Sequence, residues 1–305
     1  MRIGVTNGNV FDDSNYQEGF QLLKDCGFDC VDFSFTSKQS YRDVVNKGEN
    51  PFFWQDTQTI LAYYAPWKDA AVRAGIEFSQ AHAPFPSYCV GNDEANEIMR
   101  DAVEKCLAVC RMFECPYLIV HPVHTKGTLE REWEINIEFY KTLIPAAKET
   151  GVGICLENMF SGQSGHIEEA VCSDFAVASQ YIDTLNEIAG AELFSFCYDV
   201  GHATLLGRDQ RRSIGLLGSR LKTLHIHDND GRSDVHFQPY AYSRGSGYVT
   251  DWNGFLDGLR DVGFTGTLSF ETDNALSSLP LPLKDAMLTY IARVGRYVSD
   301  QLSET

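Results

Sequence analysis

Short apolar runs punctuate the chain eight times, and most are followed by a stretch whose apolar residues recur at helical spacing. The runs are Ile3–Val5, Cys30–Phe33, Phe78–Ala81, Tyr117–Val120, Gly153–Leu156, Phe194–Tyr198, Leu221–Leu224 and Thr267–Phe270. Helices are predicted over Tyr16–Asp25, Asp56–Arg73, Asp93–Phe113, Trp133–Glu149, Asp174–Glu187 and Leu283–Val298. Pro282 suits the start of the last, where a missing backbone N–H has no partner to lose. Gly27, Gly75, Gly151 and Gly263 precede apolar runs, and a glycine just past a helix ends it in the left-handed conformation and starts the return to the sheet.

Nearly continuous apolar runs suit strands buried on both faces of a parallel sheet. Strand alternating with helix eight times predicts an α/β fold of the (β/α)8 TIM-barrel class. The rival, a doubly wound open sheet, usually has fewer strands and a G-x-G-x-x-G loop after the first, and no such loop follows Val5. No linker, low-complexity tract or charge block divides the chain, so one domain over residues 1–305 is expected. Length alone would allow two, but barrels of this class use it for one.

Composition narrows the function classes. With 44% hydrophobic residues the chain is neither disordered nor fibrous. Lys and Arg number 25 against 42 Asp and Glu, a formal charge of −17, which argues against an extended nucleic-acid surface because such surfaces draw on many Lys/Arg–phosphate contacts. The nine cysteines are odd in number, form no C-x-x-C and lie mostly inside apolar runs, the usage of reduced thiols acting as small hydrophobes. The first residues lack the apolar core of a signal peptide, and no apolar stretch approaches membrane-spanning length. A cytoplasmic protein without membrane contact is expected.

The candidate chemistry lies where the apolar runs end. The third run ends in His82, the fourth in His121, the fifth in Glu157, the sixth in Asp199, the seventh in His225 and the eighth in Glu271. His202 follows Asp199 closely, Asp234 and His236 lie in the loop after the seventh run, and all eight histidines fall outside the predicted helices. In a parallel barrel these strand ends share one face, the face that carries active sites. Carboxylates and imidazoles converging in a buried mouth need a cation to offset their desolvation. Mixed oxygen and nitrogen ligands suit a divalent metal: Mn²⁺, Co²⁺, Zn²⁺ or Mg²⁺.

Structural readings compete at single positions. A strand-end Glu or Asp can cap the next helix, and His121 before Pro122 can simply end a strand. His225 and His227 share a face; one binds metal while the other orients a carboxylate, or both fill the barrel mouth. Cys155 and Cys197 read as core fillers, and Phe52–Trp54 with Tyr63 and Tyr64 either line a pocket or form a helix-face core. Capping does not account for H, H, E, D, H and E at six successive strand ends.

These motifs resemble the xylose isomerase-like TIM-barrel superfamily, which contains sugar phosphate isomerases/epimerases and endonuclease IV, over nearly the whole chain. The ketose 3-epimerase branch implies one metal on Glu157 (L-E-N), Asp199 (Y-D-V-G-H), His225 (L-H-I-H) and Glu271 (S-F-E-T). It makes Glu157 and Glu271 the catalytic pair that exchanges a proton through a metal-stabilised enediolate. It gives His202 a substrate contact and leaves Arg232 one residue off the position of an arginine often found there. The endonuclease IV branch implies a trinuclear set mapping onto His82, His121, Glu157, Asp199, His202, His225, Asp234, His236 and Glu271. Against it, Asp228–Gly231 stands where that branch carries Asp-Ser-Lys, whereas H-x-H-D-N-D-G, the later D-x-H and Gly245–Gly247 resemble the isomerase-like members.

The implied function is a metal-dependent isomerase or epimerase of a sugar, sugar phosphate or polyol-derived ketone. His82 and His202 would hold substrate hydroxyls, and Asp228 or Asp234 would orient imidazoles. A phosphodiesterase acting on abasic DNA and a metal-dependent lyase or dehydratase are the alternatives. The expected partner is a small carbohydrate, and the resemblance also admits a homo-oligomer in which a neighbouring barrel's loop closes the site. Specificity is expected in loops 34–55, 85–92, 158–173 and 232–250.

Overall fold

The computed structural model describes residues 1–36, 38–46, 52–163 and 165–303. At its centre run eight parallel strands: β1 (Ile3–Thr6), β2 (Cys30–Ser34), β3 (Glu77–His82), β4 (Tyr117–Ile119), β5 (Gly153–Glu157), β6 (Phe194–Asp199), β7 (Leu221–His225) and β8 (Leu268–Phe270). Pairing runs from β8 to β1 and then in chain order to β7. Ile226 closes the last seam: it bridges Phe270, its N–H donates to the Ser269 carbonyl at 2.9 Å, and its carbonyl accepts from the Glu271 N–H at 3.1 Å. The fold is the (β/α)8 barrel that the alternation of runs and helices predicts.

The outer ring is α1 (Tyr16–Cys26), α2 (Thr57–Ala74), α3 (Asp93–Phe113), α4 (Leu129–Thr150), α5 (Phe175–Ala189), α6 (Gln210–Leu217), α7 (Trp252–Asp261) and α8 (Lys284–Ser303). Helix α4 begins four residues before the expected Trp133, because the Thr128 side chain caps it by accepting from the Arg131 N–H. Gly27 and Gly75 end α1 and α2 in the left-handed conformation, at φ 100° and 70°. Helices α6 and α7 escape the sequence pattern. Gly254 and Gly258 weaken the helical signal of α7, yet Gly258 serves packing, since a Cβ there would stand 3.0 Å from Ile214 of α6.

The main core fills the space between strands and helices. Phe33 of β2 meets Tyr64, Trp67, Phe78 and Phe113 with ring centroids 5.3–5.8 Å apart. Tyr64 and Phe53 are therefore core residues, and the Tyr63 hydroxyl accepts from Lys38 Nζ at 2.7 Å. Inside the barrel, Ile119, Cys155 and Cys197 form a separate apolar cluster. All nine cysteines are free; Cys89 is exposed and the other eight are buried.

The loops above the barrel carry structure of their own. The long connection after β5 folds back as a hairpin of Phe160–Gln163 with His166–Glu169. A short helix, Val200–Leu205, follows β6 directly and contains His202, so that histidine departs from the expectation that all eight lie outside helices. Parts of the expected specificity loops 34–55 and 158–173, namely residues 37, 47–51 and 164, lie outside the described residues. Among the described residues no helix is long and apolar enough to cross a membrane.

Candidate metal centre

Side chains two residues apart share a strand face. Cys155 and Glu157, Cys197 and Asp199, and Thr223 and His225 are such pairs, with the small member deeper in the barrel and the ionisable one at its upper end. Glu271 follows β8 immediately. His225 Nδ1 lies 3.1 Å from Glu157 Oε1, 3.4 Å from Glu271 Oε2 and 4.0 Å from Asp199 Oδ2. One ligand atom from each of these four residues falls within 4.8 Å of the others. Ligands held about 2.1 Å from an ion stand roughly 3–4 Å apart, so the group is close to the size that a bound ion requires.

Two further groups adjoin this one. His121 Nε2 and His82 Nε2 lie 3.2 and 3.6 Å from the second oxygen of Glu157, so that carboxylate faces imidazoles on both sides. On the other flank Asp234 faces three imidazoles: His236 Nε2 at 2.9 Å, His202 Nε2 at 3.5 Å and His227 Nε2 at 3.8 Å. His227 stacks on His236 with centroids 4.1 Å apart and lies 3.1 Å from both Asp199 oxygens, the carboxylate-orienting role open to it from sequence. The nine positions His82, His121, Glu157, Asp199, His202, His225, Asp234, His236 and Glu271 thus come together in three adjoining groups.

Buried polar atoms almost always find partners. Here Glu157 Oε2, His82 Nε2 and Asp234 Oδ1 are buried with no hydrogen-bond partner, and each points into one of the three groups. Cation ligation would satisfy them, so the residues present fit a divalent metal.

The electrostatics agree. Burial opposes ionisation of Glu157, but His225 and His121 outweigh it and hold the carboxyl well below its usual range. Asp199 is likewise lowered against its burial by His202 and His227. Burial would keep His225 neutral, yet Cys197, Glu271 and Glu157 push it well above its usual value. His236 rises to about 10 because Glu271 and Asp234 outweigh its burial. His121 goes the other way, lowered by burial and by His82. A carboxylate-rich mouth draws positive charge, and a metal ion can replace the protons that supply it.

Supporting residues fix these side chains. Asn158 donates from Nδ2 to the Asp199 carbonyl at 2.9 Å and accepts from the Asp199 N–H at 2.8 Å, while its own carbonyl lies 2.8 Å from His202 Nδ1. Asp32, buried in β2, lies 3.1 Å from His225 Nε2. Sequence reasoning missed both; the available signals were the polar residue beside Glu157 and a carboxylate inside a run expected to be buried. Gly201 is required by close approach, since a Cβ there would meet the His227 ring at 1.9 Å. Asp228 orients no imidazole: it accepts from Thr250 Oγ1 at 2.7 Å and from the Tyr242 N–H at 3.1 Å, which shapes the loop after β7. Arg232 is exposed on that loop, its backbone N–H bonded to Asp230, and is not drawn into the three groups. Phe85 and Phe160 pack edge-on against His121 and His202 and supply apolar walls.

A family model, the xylose isomerase-like TIM barrel, matches residues 20–290. The chain belongs to this family. Solved structures that share the family's fold include 3-keto-D-glucoside 4-epimerase YcjR from E. coli, with TM-score 0.66, 16% identity, and 96% of this chain and 99% of that chain covered. D-psicose 3-epimerase with D-tagatose from Clostridium cellulolyticum H10 gives TM-score 0.67 at 14% identity, covering 98% and 99%. An IolI protein with a bound zinc atom gives 0.66 at 15%, covering 100% and 99%. Identities this low show a common fold. No curated protein matches the chain at a significant level in sequence.

Proposed function

We propose that this chain is a divalent-metal-dependent isomerase or epimerase of a small carbohydrate, in which Glu157 and Glu271 exchange a proton with one substrate carbon or two neighbouring ones. The observation that carries the reading is the convergence of Glu157, Asp199, His225 and Glu271. Sugar epimerases of the same fold, and an IolI protein of that fold with a bound zinc atom, support it. When bound by these four residues, a divalent ion would polarise a substrate carbonyl and its neighbouring hydroxyl.

The chain's own groups supply the rest. Glu157 and Glu271 come from β5 and from the end of β8 and reach His225 Nδ1 from separate strands. A carbon held between them can lose a proton to one carboxylate and regain it from the other. Glu271 is 15% exposed against 1% for Glu157, so Glu271 is the carboxylate more open to the mouth. His82 Nε2, without a hydrogen-bond partner, is placed to hold a substrate hydroxyl. His202 is already engaged at Nδ1 by the Asn158 carbonyl and faces Asp234 at Nε2, so its part is to keep the Asp234 group in place.

The test is wash-in of solvent deuterium at carbon, with metal-replete protein and a panel of ketoses, their phosphates, oxidised glycosides and oxidised inositols. At least one member should exchange; exchange accompanied by loss of water would place the reaction among eliminations. A second reading, phosphodiester hydrolysis, is favoured by one observation, the gathering of all nine ligand-type residues into three groups. Nicking of abasic DNA with three ions per chain would support it. The formal charge of −17 weighs against that substrate.

A further inference from the structure

We infer that Asp32 is a positioning residue that holds His225 with its Nε2 protonated, so that Nδ1 is the nitrogen offered to the metal. The inference rests on the metal reading above. Asp32 lies in the middle of β2 between the buried apolar residues Val31 and Phe33, and it is itself wholly buried. Its Oδ2 accepts from Gln80 Nε2 at 2.7 Å and from Ser269 Oγ at 3.4 Å, and lies 3.1 Å from His225 Nε2. Gln80 Nε2 also donates to the carbonyl of Leu224 at 3.2 Å, which ties Asp32 to the strand residue just before His225.

The His225 ring is therefore held at both nitrogens. Asp32 stands at Nε2, while Glu157, Glu271 and Asp199 surround Nδ1. Only a protonated nitrogen can donate to the Asp32 carboxylate, so the lone pair is left for Nδ1. A carboxylate acceptor behind a ligating imidazole also makes that imidazole a better donor to metal.

A purely structural role would be to satisfy the polar side chains inside the barrel. A neutral carboxamide would serve Gln80 and Ser269 equally well without burying a charge. The negative charge acquires a use only where it faces an imidazole that is cationic or bound to metal.

The experiment uses the full chain and Zn²⁺. Affinity for substoichiometric Zn²⁺, read by competition with a chromophoric chelator, should weaken roughly 10–100-fold in Asp32→Asn, with the circular dichroism of the fold retained. In Zn²⁺-loaded wild type, long-range ¹H–¹⁵N correlation should show the proton of His225 on Nε2 and the metal on Nδ1. Unchanged affinity in a folded Asp32→Asn, or metal on Nε2, overturns the inference and leaves the metal reading standing. Failure of wild type to bind Zn²⁺ overturns both. If Asp32→Asn does not fold, the wild-type spectrum decides alone.

Discussion

Glu157 faces imidazoles through both of its oxygens, and Glu271 meets the same His225 nitrogen from the end of the adjoining strand β8. Their roles separate by measurement. Glu271→Gln should slow deuterium wash-in about 10²–10⁴-fold, the usual contribution of a positioned acid or base, while the fold stays intact by circular dichroism. Both carboxylates are proposed ligands, so both variants should lose ion, Glu157→Gln the more, because that buried carboxylate also faces His82 and His121. His236 supplies a pH signature. Its value in the folded, chelated protein is about 10, above the usual 6.5, so it stabilises fully below pH 6.5 and that contribution is lost as pH rises towards 10. Thermal unfolding of chelated protein should therefore show a falling midpoint across that window, with a smaller fall once metal replaces the proton. The ionisable residues were legible because each interrupts an apolar run at its end. Asp32 was not, because one polar residue within Cys30–Phe33 reads as ordinary alternation until Gln80 and His225 are seen beside it.

At the scale of elements, glycines mark where parts approach too closely for a side chain. Gly201→Ala would drive a methyl group into His227, which is held by Asp199 and stacked on His236. Overpacking of this kind costs about 1–3 kcal/mol, so urea unfolding of Gly201→Ala should shift by that amount and metal binding should weaken. Gly215→Ala is the control: it lies in α6 with open space around its Cβ, and should be neutral or stabilising by about 0.5–1 kcal/mol. The strands and six of the outer helices follow from apolar period and glycine stops. Helices α6 and α7 and the hairpin after β5 do not, since their signals are short, glycine-diluted or without a regular period. Arg232 shows the limit of carrying a position across by motif: the loop after β7 turns on Asp228, Asn229 and Asp230, and these leave the arginine outside.

For the whole molecule, the barrel gathers residues from position 82 to position 271 onto one face, and the metal reading turns that gathering into a stability effect. An ion present at 100 times its dissociation constant stabilises by about 2.7 kcal/mol, which for a chain of this length raises the unfolding midpoint by a few degrees. Chelation should reverse the rise. One divalent ion on Glu157, Asp199 and Glu271 would offset two negative charges, so most of the −17 remains on the rest of the molecule.

The most direct test of the account strips the protein with a chelator, returns Mn²⁺, Co²⁺, Zn²⁺ or Mg²⁺ stepwise, and follows deuterium entry at carbon in the carbohydrate panel. Exchange should stop on stripping and return with added ion. Exchange that persists without metal, or its absence for every carbohydrate while abasic DNA is cut, would contradict it.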